Sequence, residues 1–599
     1  MKSPSVVLNM KVRRLILSAV LLLFGWRTAS ALEKPVKAVF SEKNSEKVWT
    51  LRELDSGLSA DWSVSEYLVM EMKASSPQRF SLWIHTTEGK RRLMLQLFGQ
   101  DAWLRASIPL RFFKGKDRQG SDLASTNNRR TNSYWMQVWG PFGELKDVQA
   151  IGVTMDYPLN RPSLEIRALA LSKEDAGSEF LEGQPVLDEF GQWAKGDWPR
   201  KVHSREQLEK ERAAEEKALA EAVDPKVGRY GGYLDTQVEA TGFFRVKRID
   251  GRWWFVDPDG HLFLSTGANG IRGESGPAGQ AIVSKRMGAW GLNTIGNWSG
   301  FRPTEDGRRK AYVTMLWLPR SEPVYLGMPD VCSEAFARAV EEAAAKQCAP
   351  LKNDPWLLGY FLGNEPPWPK RESELVEMFL QGPDTATRRK LREFLAQGDT
   401  PERREQFVRD MFERYLALMA GAIKRADPNH LNLGIRFGGI PAEPILKLGR
   451  AFDVCSLNVY EYEPTRQLQR VFEVTGRPFL IGEFHLGVPG DGLGAGLVQT
   501  ADQAERAKGY RYYMEQAAAL PCFVGAHWFQ WADEPVLGRM DGENYNIGFV
   551  DVANRPYAEL AKAARETHDR LAAVHLGKTP PFAQRPRASE HGTPQSPWD

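Results

Sequence analysis

Between about Lys37 and Ser172 apolar and polar residues alternate in short runs, YLVMEMKA, FSLWIHTT, LMLQLFG, YWMQVWG and AIGVTMD, separated by polar, turn-rich stretches. A period of two turns one face of each run toward a core, so runs at this spacing predict a β-sandwich over residues 36–175. The next segment, SREQLEKERAAEEKALAEAVDP, is largely charged. Ser204 with Gln207 makes a capping-box-like start and Asp224-Pro225 a stop, which makes 176–240 a linker carrying a solvated helix. In GFFRVKRIDGRWWFVDPDGHLFLSTG (242–267), Asp250-Gly251 and the Asp-Pro-Asp-Gly at 257–260 predict the turns of a β-meander.

Beyond the meander the pattern changes to apolar strands alternating with amphipathic helices. Strand candidates are HLFLSTGANG near 261, GLNTIGNW near 291, AYVTMLWL near 311, LLGYFLGN near 357, LNLGIRF near 431, FDVCSLNVY near 452, PFLIGEFH near 478 and FVGAHWFQW near 523. Eight strands with helices such as CSEAFARAVEEAAAKQ between them predict an α/β fold, a (β/α)₈ barrel over 241–575. The competing arrangement is an open doubly wound sheet. No G-x-G-x-x-G opens a helix after the first strand, which leaves a dinucleotide fold without support. Past Leu576 the chain is polar with five prolines, and 576–599 reads as a disordered tail.

The 599 residues, 42% hydrophobic and 26% charged, describe a globular chain of more than one domain. A net charge of +3 is too small to argue for nucleic acid or an acidic membrane surface, so the partner is expected to be neutral. Nineteen tryptophans and 29 phenylalanines suit stacking on sugars as well as packing. Lys11, Arg13 and Arg14, the apolar stretch Leu15 to Trp26, and Ala29-Ser30-Ala31 describe a secretory signal peptide (1–31), hence a secreted or periplasmic protein with no membrane span. Four scattered cysteines lack metal-site spacing, and Cys332 with Cys348 is the one candidate disulfide.

Catalytic residues of such a barrel stand where its strands end. FLGNEPPW closes the fourth strand with Asn364-Glu365, and Pro366-Pro367 stop the ladder by withholding N–H donors; Trp368 is expected to overhang the mouth. PFLIGEFH closes the seventh strand with Glu483. Two carboxylates facing one sugar-sized gap can cleave a glycosidic bond, with retention when they stand about 5 to 5.5 Å apart.

Asn-Glu ending the fourth strand and Glu ending the seventh resemble the clan of retaining glycoside hydrolases built on (β/α)₈ barrels. GEFHLG at 482–487 and AHWFQWADEPVLGRMDGENYNIGFVDVANRPY at 526–557 resemble glycoside hydrolase family 50, the β-agarases, which also place a sandwich before the barrel. The sequence departs from that pattern in Gly363 before Asn-Glu and Pro366-Pro367 after it. The resemblance implies Glu365 as general acid/base, Glu483 as nucleophile and Asn364 as a donor to a sugar hydroxyl, acting on β-1,4-galactosidic bonds of agarose or a related galactan without a cofactor. β-Galactosidase, β-mannanase, β-glucanase and non-catalytic carbohydrate binding stay open as alternatives.

Asn458 and Tyr460 share a face of the sixth strand. By the same resemblance Tyr460 is the tyrosine that holds the nucleophile, and an aromatic ending the eighth strand, Trp528 or Trp531 beside Gln530, is the floor of the sugar site. His527, Asp533 and Glu534 lie beside these. His485 either bonds a sugar hydroxyl or packs, whereas Trp298 and Arg436 rank as structural. No H-E-x-x-H occurs and the histidines do not cluster, so no metal is expected; the acidic loop Asp541, Glu543, Asp551 reads as solvated charge rather than a calcium site.

Overall fold

The structure, a computed structural model, describes residues 30–114, 128–138, 140–183, 186–222, 226–272, 277–300, 309–319 and 323–588. The expected signal peptide lies outside these except for its last two residues, which already belong to a strand, Ser30–Val39.

Two antiparallel sheets, one of five strands and one of six, face each other between Ser30 and Phe180. Their inner faces supply one core, including Leu68, Met70, Leu82, Ile84, Leu93, Leu95, Ile151 and Leu164. Leu68 and Met70, Leu82 and Ile84, and Leu93 and Leu95 are each two positions apart on one strand, which is the period-two reading in three dimensions. The linker helix Arg205–Glu221 starts on Ser204, whose side chain accepts from the Gln207 N–H, and buries none of its residues. It is nonetheless tied to the barrel by Glu215, which accepts two bonds from the buried Arg286.

Eight parallel strands form the barrel sheet: Ser265–Ala268, Thr294–Ile295, Ala311–Met315, Leu357–Phe361, Leu431–Asn432, Cys455–Asn458, Phe479–Phe484 and Phe523–Trp528. The first strand pairs with the eighth, and the fifth continues as Ile435–Arg436 to reach the sixth through a parallel Phe437–Leu457 bridge. That bridge closes the ring. All eight strand candidates occupy their expected slots, and the barrel reading holds over the open sheet.

The helices between them pack as their periodicity requires. In Glu334–Gln347 the buried residues are Phe336, Val340, Ala343 and Ala344, one stripe at i, i+4, i+7 and i+8. Burying its two larger side chains stabilises by roughly 1.5–3 kcal/mol each. The meander Arg245–Ile249, Arg252–Val256, Leu262–Phe263 closes the end of the barrel where the strands begin, with Phe255 and Phe263 against Val313, Leu358, Leu480 and Val524. Among the described residues no helix is long and apolar enough to cross a membrane.

Two expectations are corrected. The tail is ordered as far as Ala588: the N–H groups of Phe582 and Arg587 donate to Glu515 (2.9 Å) and Glu505 (2.7 Å), two buried carboxylates of the helix Gln503–Ala518. Prolines exclude regular structure there but not docking; residues 589–599 lie outside the described set. Cys332 and Cys348 are free thiols, as are Cys455 and Cys522. Burial pushes the Cys348 thiol up to about 12.

Candidate active site

The fourth strand does not run straight to its rim. After Leu357–Phe361 it resumes as Gly363–Asn364, paired in parallel with Ile435–Arg436. Glu365 then adopts a left-handed φ of 42°, a conformation that costs a non-glycine residue energy and turns the chain sharply. Its N–H donates to the Arg436 carbonyl at 2.6 Å, the last ladder bond before the two prolines. The carboxyl group thus emerges at the strand end with the backbone pinned beneath it.

Glu483 ends the seventh strand and is buried, with three donors around its carboxylate. Tyr460 Oη donates to Oε2 at 2.6 Å, Trp298 Nε1 donates to Oε1 at 2.8 Å, and Arg436 Nη2 forms an ion pair with Oε1. Gly482 permits this packing. A Cβ there would stand 2.7 Å from Arg436 Nε and 2.8 Å from Asn458 Oδ1, so a larger residue would displace the guanidinium.

Asn458 links the two glutamates. Its Oδ1 accepts from Arg436 Nε at 3.2 Å, which directs its Nδ2 toward Glu365 Oε1 at 2.7 Å and Asn364 Oδ1 at 3.2 Å. Burial, and after it the charge of Glu483, raises the Glu365 carboxyl to about 7, against a partial pull downward from the Asn458 bond. Burial and the same two glutamates raise the Tyr460 phenol well above its ordinary value, so it is a neutral donor.

Trp298, Asn364, Glu365, Tyr460 and Glu483 line a cleft of about 2140 Å³. One wall comes from the sandwich, through Arg79, Gln137 and Phe142. The sandwich is seated on the loop after the eighth strand: Gln96 Nε2 donates to Asn544 Oδ1 at 2.7 Å and Arg130 Nη2 to the Leu537 carbonyl at 2.9 Å. Trp135 lies so close to Gly542, at φ 82°, that a Cβ there would meet the indole at 2.2 Å.

The structure separates the expected site residues into two groups. Asn364, Glu365, Tyr460, Glu483 and Gln530 line the cleft, and Asn458 lies beneath it. Trp368, expected at the mouth, borders the cleft but is fully buried against Phe412, because the Glu365 turn and the prolines carry it back under the rim. Trp528 is fully buried among Phe484, Tyr510 and Phe549, with its N–H on the Ile547 carbonyl. Trp531 touches the cleft but is 2% exposed and stacks on Trp290.

His485 is also packing: Nδ1 meets the Phe529 carbonyl at 3.0 Å and Nε2 accepts from the Leu497 N–H at 2.9 Å, leaving no nitrogen for a ligand. Burial lowers its pKa to about 3. His527 sits inside the barrel against Ser265. Asp533 accepts from the Tyr557 hydroxyl, and the buried Glu534 accepts from the Tyr545 N–H. The acidic loop is paired rather than solvated: Arg539 bonds Asp541 at 2.7 Å and Glu543 at 2.5 Å, and Arg555 Nε bonds Asp551 at 2.9 Å. Among the described residues no group of three or more His, Cys, Asp or Glu is placed to hold a metal. Arg436 and Trp298, ranked as structural, both contact Glu483.

No family model matches the chain. β-Agarase B of Vibrio sp. (strain JT0107) is 26% identical over 72% of this chain and 59% of its own length. β-Agarase A of the same organism is 28% identical over 64% and 51%. A crystal structure described as an agarase superposes with a TM-score of 0.61 at 22% identity, covering 92% of this chain and 97% of its own. The chain is β-agarase-like. A second solved structure, an exo-β-agarase, gives a TM-score of 0.62 at 22% identity over 90% and 98%. These structural likenesses extend the shared fold of this agarase-like chain through the sandwich as well as the barrel. It spans only 51% to 59% of the two Vibrio relatives' length.

Proposed function

We propose that this chain is a secreted retaining glycoside hydrolase that cuts β-1,4-galactosidic bonds of agarose or a related galactan by double displacement on Glu365 and Glu483. The observation that carries the reading is the contrast between the two carboxyl groups in one cleft. Glu365 is pushed up to about 7 by burial and by Glu483, whereas the Glu483 oxygens are held by a guanidinium, an indole and a phenol, three donors that fix its orientation in the cleft. The Vibrio relatives' names supply the substrate, and the basic, apolar and A-x-A segments at the N-terminus support export.

In the first step Glu365 donates its proton to the glycosidic oxygen as the C–O bond breaks, and a Glu483 oxygen bonds the anomeric carbon. Asn458 holds Oε1 of Glu365, so Oε2 carries the proton. Formation of the ester removes the charge of Glu483, which lets Glu365 ionise. Glu365 then takes a proton from water, whose oxygen displaces Glu483 with a second inversion.

Proton NMR of a fresh agarose digest tests the mechanism: the new reducing ends are expected as β-anomers that mutarotate later. Initial α-anomers would exclude double displacement, and products from mannan with none from agarose would retire the galactan. The alkaline limb of kcat/KM is expected near pH 7, because Glu365 must be protonated in the free enzyme. A pH–rate series on a soluble oligosaccharide measures it, and constant activity to pH 9 would contradict the assignment.

A further inference from the structure

The tryptophans that end the eighth strand offer little ring surface to a sugar, since Trp528 is fully buried and Trp531, at the edge of the cleft, is 2% exposed. Trp298, which follows the second strand, is 36% exposed and lines the cleft beside Glu365, Tyr460 and Glu483. It holds a left-handed φ of 64°, uncommon for a bulky residue, and this turn delivers its indole to the rim. Its Nε1 donates to Glu483 Oε1 at 2.8 Å, and Trp317, 51% exposed, meets it edge-on with ring centroids 5.4 Å apart. The guanidinium of Arg436 lies 5.8 Å from the same ring.

We propose that Trp298 is a positioning residue that fixes the orientation of Glu483 through its indole N–H while its exposed ring forms the sugar-stacking wall, which Trp317 extends outward. The inference rests on the assignment of Glu483 as nucleophile. One edge of the indole is anchored on the carboxylate, and the part of the ring that stays exposed is available to the sugar attached to that carboxylate. A neutral pyranose is the ligand such a surface takes: apolar C–H groups stack on the ring, while the N–H is already committed to the protein.

Trp298→Phe removes the donor and keeps an aromatic ring; Trp317→Ala removes only the extension. With a soluble agaro-oligosaccharide, Trp298→Phe is expected to lower kcat by about 10- to 100-fold, the effect of one hydrogen bond to a charged group, with KM within about threefold of wild type. The fall belongs in kcat and not in KM, because the lost bond orients the nucleophile while the remaining ring still meets the sugar. Trp317→Ala is expected to raise KM with kcat unchanged. A loss confined to folding would lower Tm and the active fraction while kcat per active site stayed at the wild-type value, which would overturn the positioning role. A kcat within about threefold of wild type in Trp298→Phe, with Glu483→Gln inactive, overturns this inference alone; turnover retained in Glu483→Gln overturns it together with the nucleophile assignment.

Discussion

Glu483→Gln is expected to abolish hydrolysis of agarose, by about four orders of magnitude or more, because an amide cannot form the glycosyl ester. It is also expected to lower stability. Arg436 is fully buried, its Nη1 has no hydrogen-bond partner, and Glu483 is the carboxylate that its Nη2 meets. Removing one member of such a pair leaves an uncompensated charge and costs about 3–5 kcal/mol. The single amide oxygen of the glutamine can still accept from Trp298 in place of Oε1, while its NH₂, in place of Oε2, faces a Tyr460 hydroxyl that can turn to accept, which limits the damage. A calorimetric scan beside the activity assay checks both effects: a variant folded at assay temperature, with a lower Tm and no turnover, is the expected outcome, and turnover above a tenth of wild type would remove Glu483 from the mechanism.

Arg436 marks where reading the chain stopped short. The strand ends were legible because Asn364-Glu365 and Glu483 each close an apolar run in the fourth and seventh slots, and the barrel gives those slots a shared rim. Arg436 and Trp298 carry no local signal of that kind. Each reaches Glu483 only through the barrel's closure, which brings the ends of the second and fifth strands beside the seventh. Gly482 held the one available clue, since a glycine before the strand-end glutamate implies a close neighbour.

The misplaced aromatics have the opposite cause. Every residue of Phe523–Trp528 and Phe479–Phe484 is buried, so alternation cannot distinguish the barrel interior from the helix layer. Trp528 and His485 accordingly read as cleft residues when one packs under the helices and the other spends both nitrogens on backbone groups. Trp368 depended on a left-handed Glu365 that no pattern announces. In the tail, composition implied disorder, but the carboxylates that dock it, Glu505 and Glu515, lie about 70 to 80 residues earlier in the chain.

Glu365→Gln is expected to cut agarose hydrolysis by about 10² to 10⁴-fold, the usual contribution of general acid and base catalysis, yet to leave the fold intact. Its amide oxygen can still accept from Asn458 Nδ2, and its NH₂ replaces the acid hydroxyl. The stability effect has the opposite sign to that of Glu483→Gln. The Glu365 carboxyl is raised to about 7 in the native state from an ordinary 4.5, so below pH 4.5 it is protonated in both native and unfolded chains and imposes no ionisation cost. Between 4.5 and 7 only the unfolded chain ionises, and native stability falls as pH rises through that window. Glutamine removes this loss, so Glu365→Gln should match wild type near pH 4 and exceed it at pH 8. Aryl glycosides with good leaving groups need no acid in the first step and should still form the glycosyl ester, and azide, which needs no base, should then release it as a β-glycosyl azide. A variant that is less stable than wild type at pH 8, or that azide fails to rescue, would assign the raised carboxyl a structural role instead of the acid/base one.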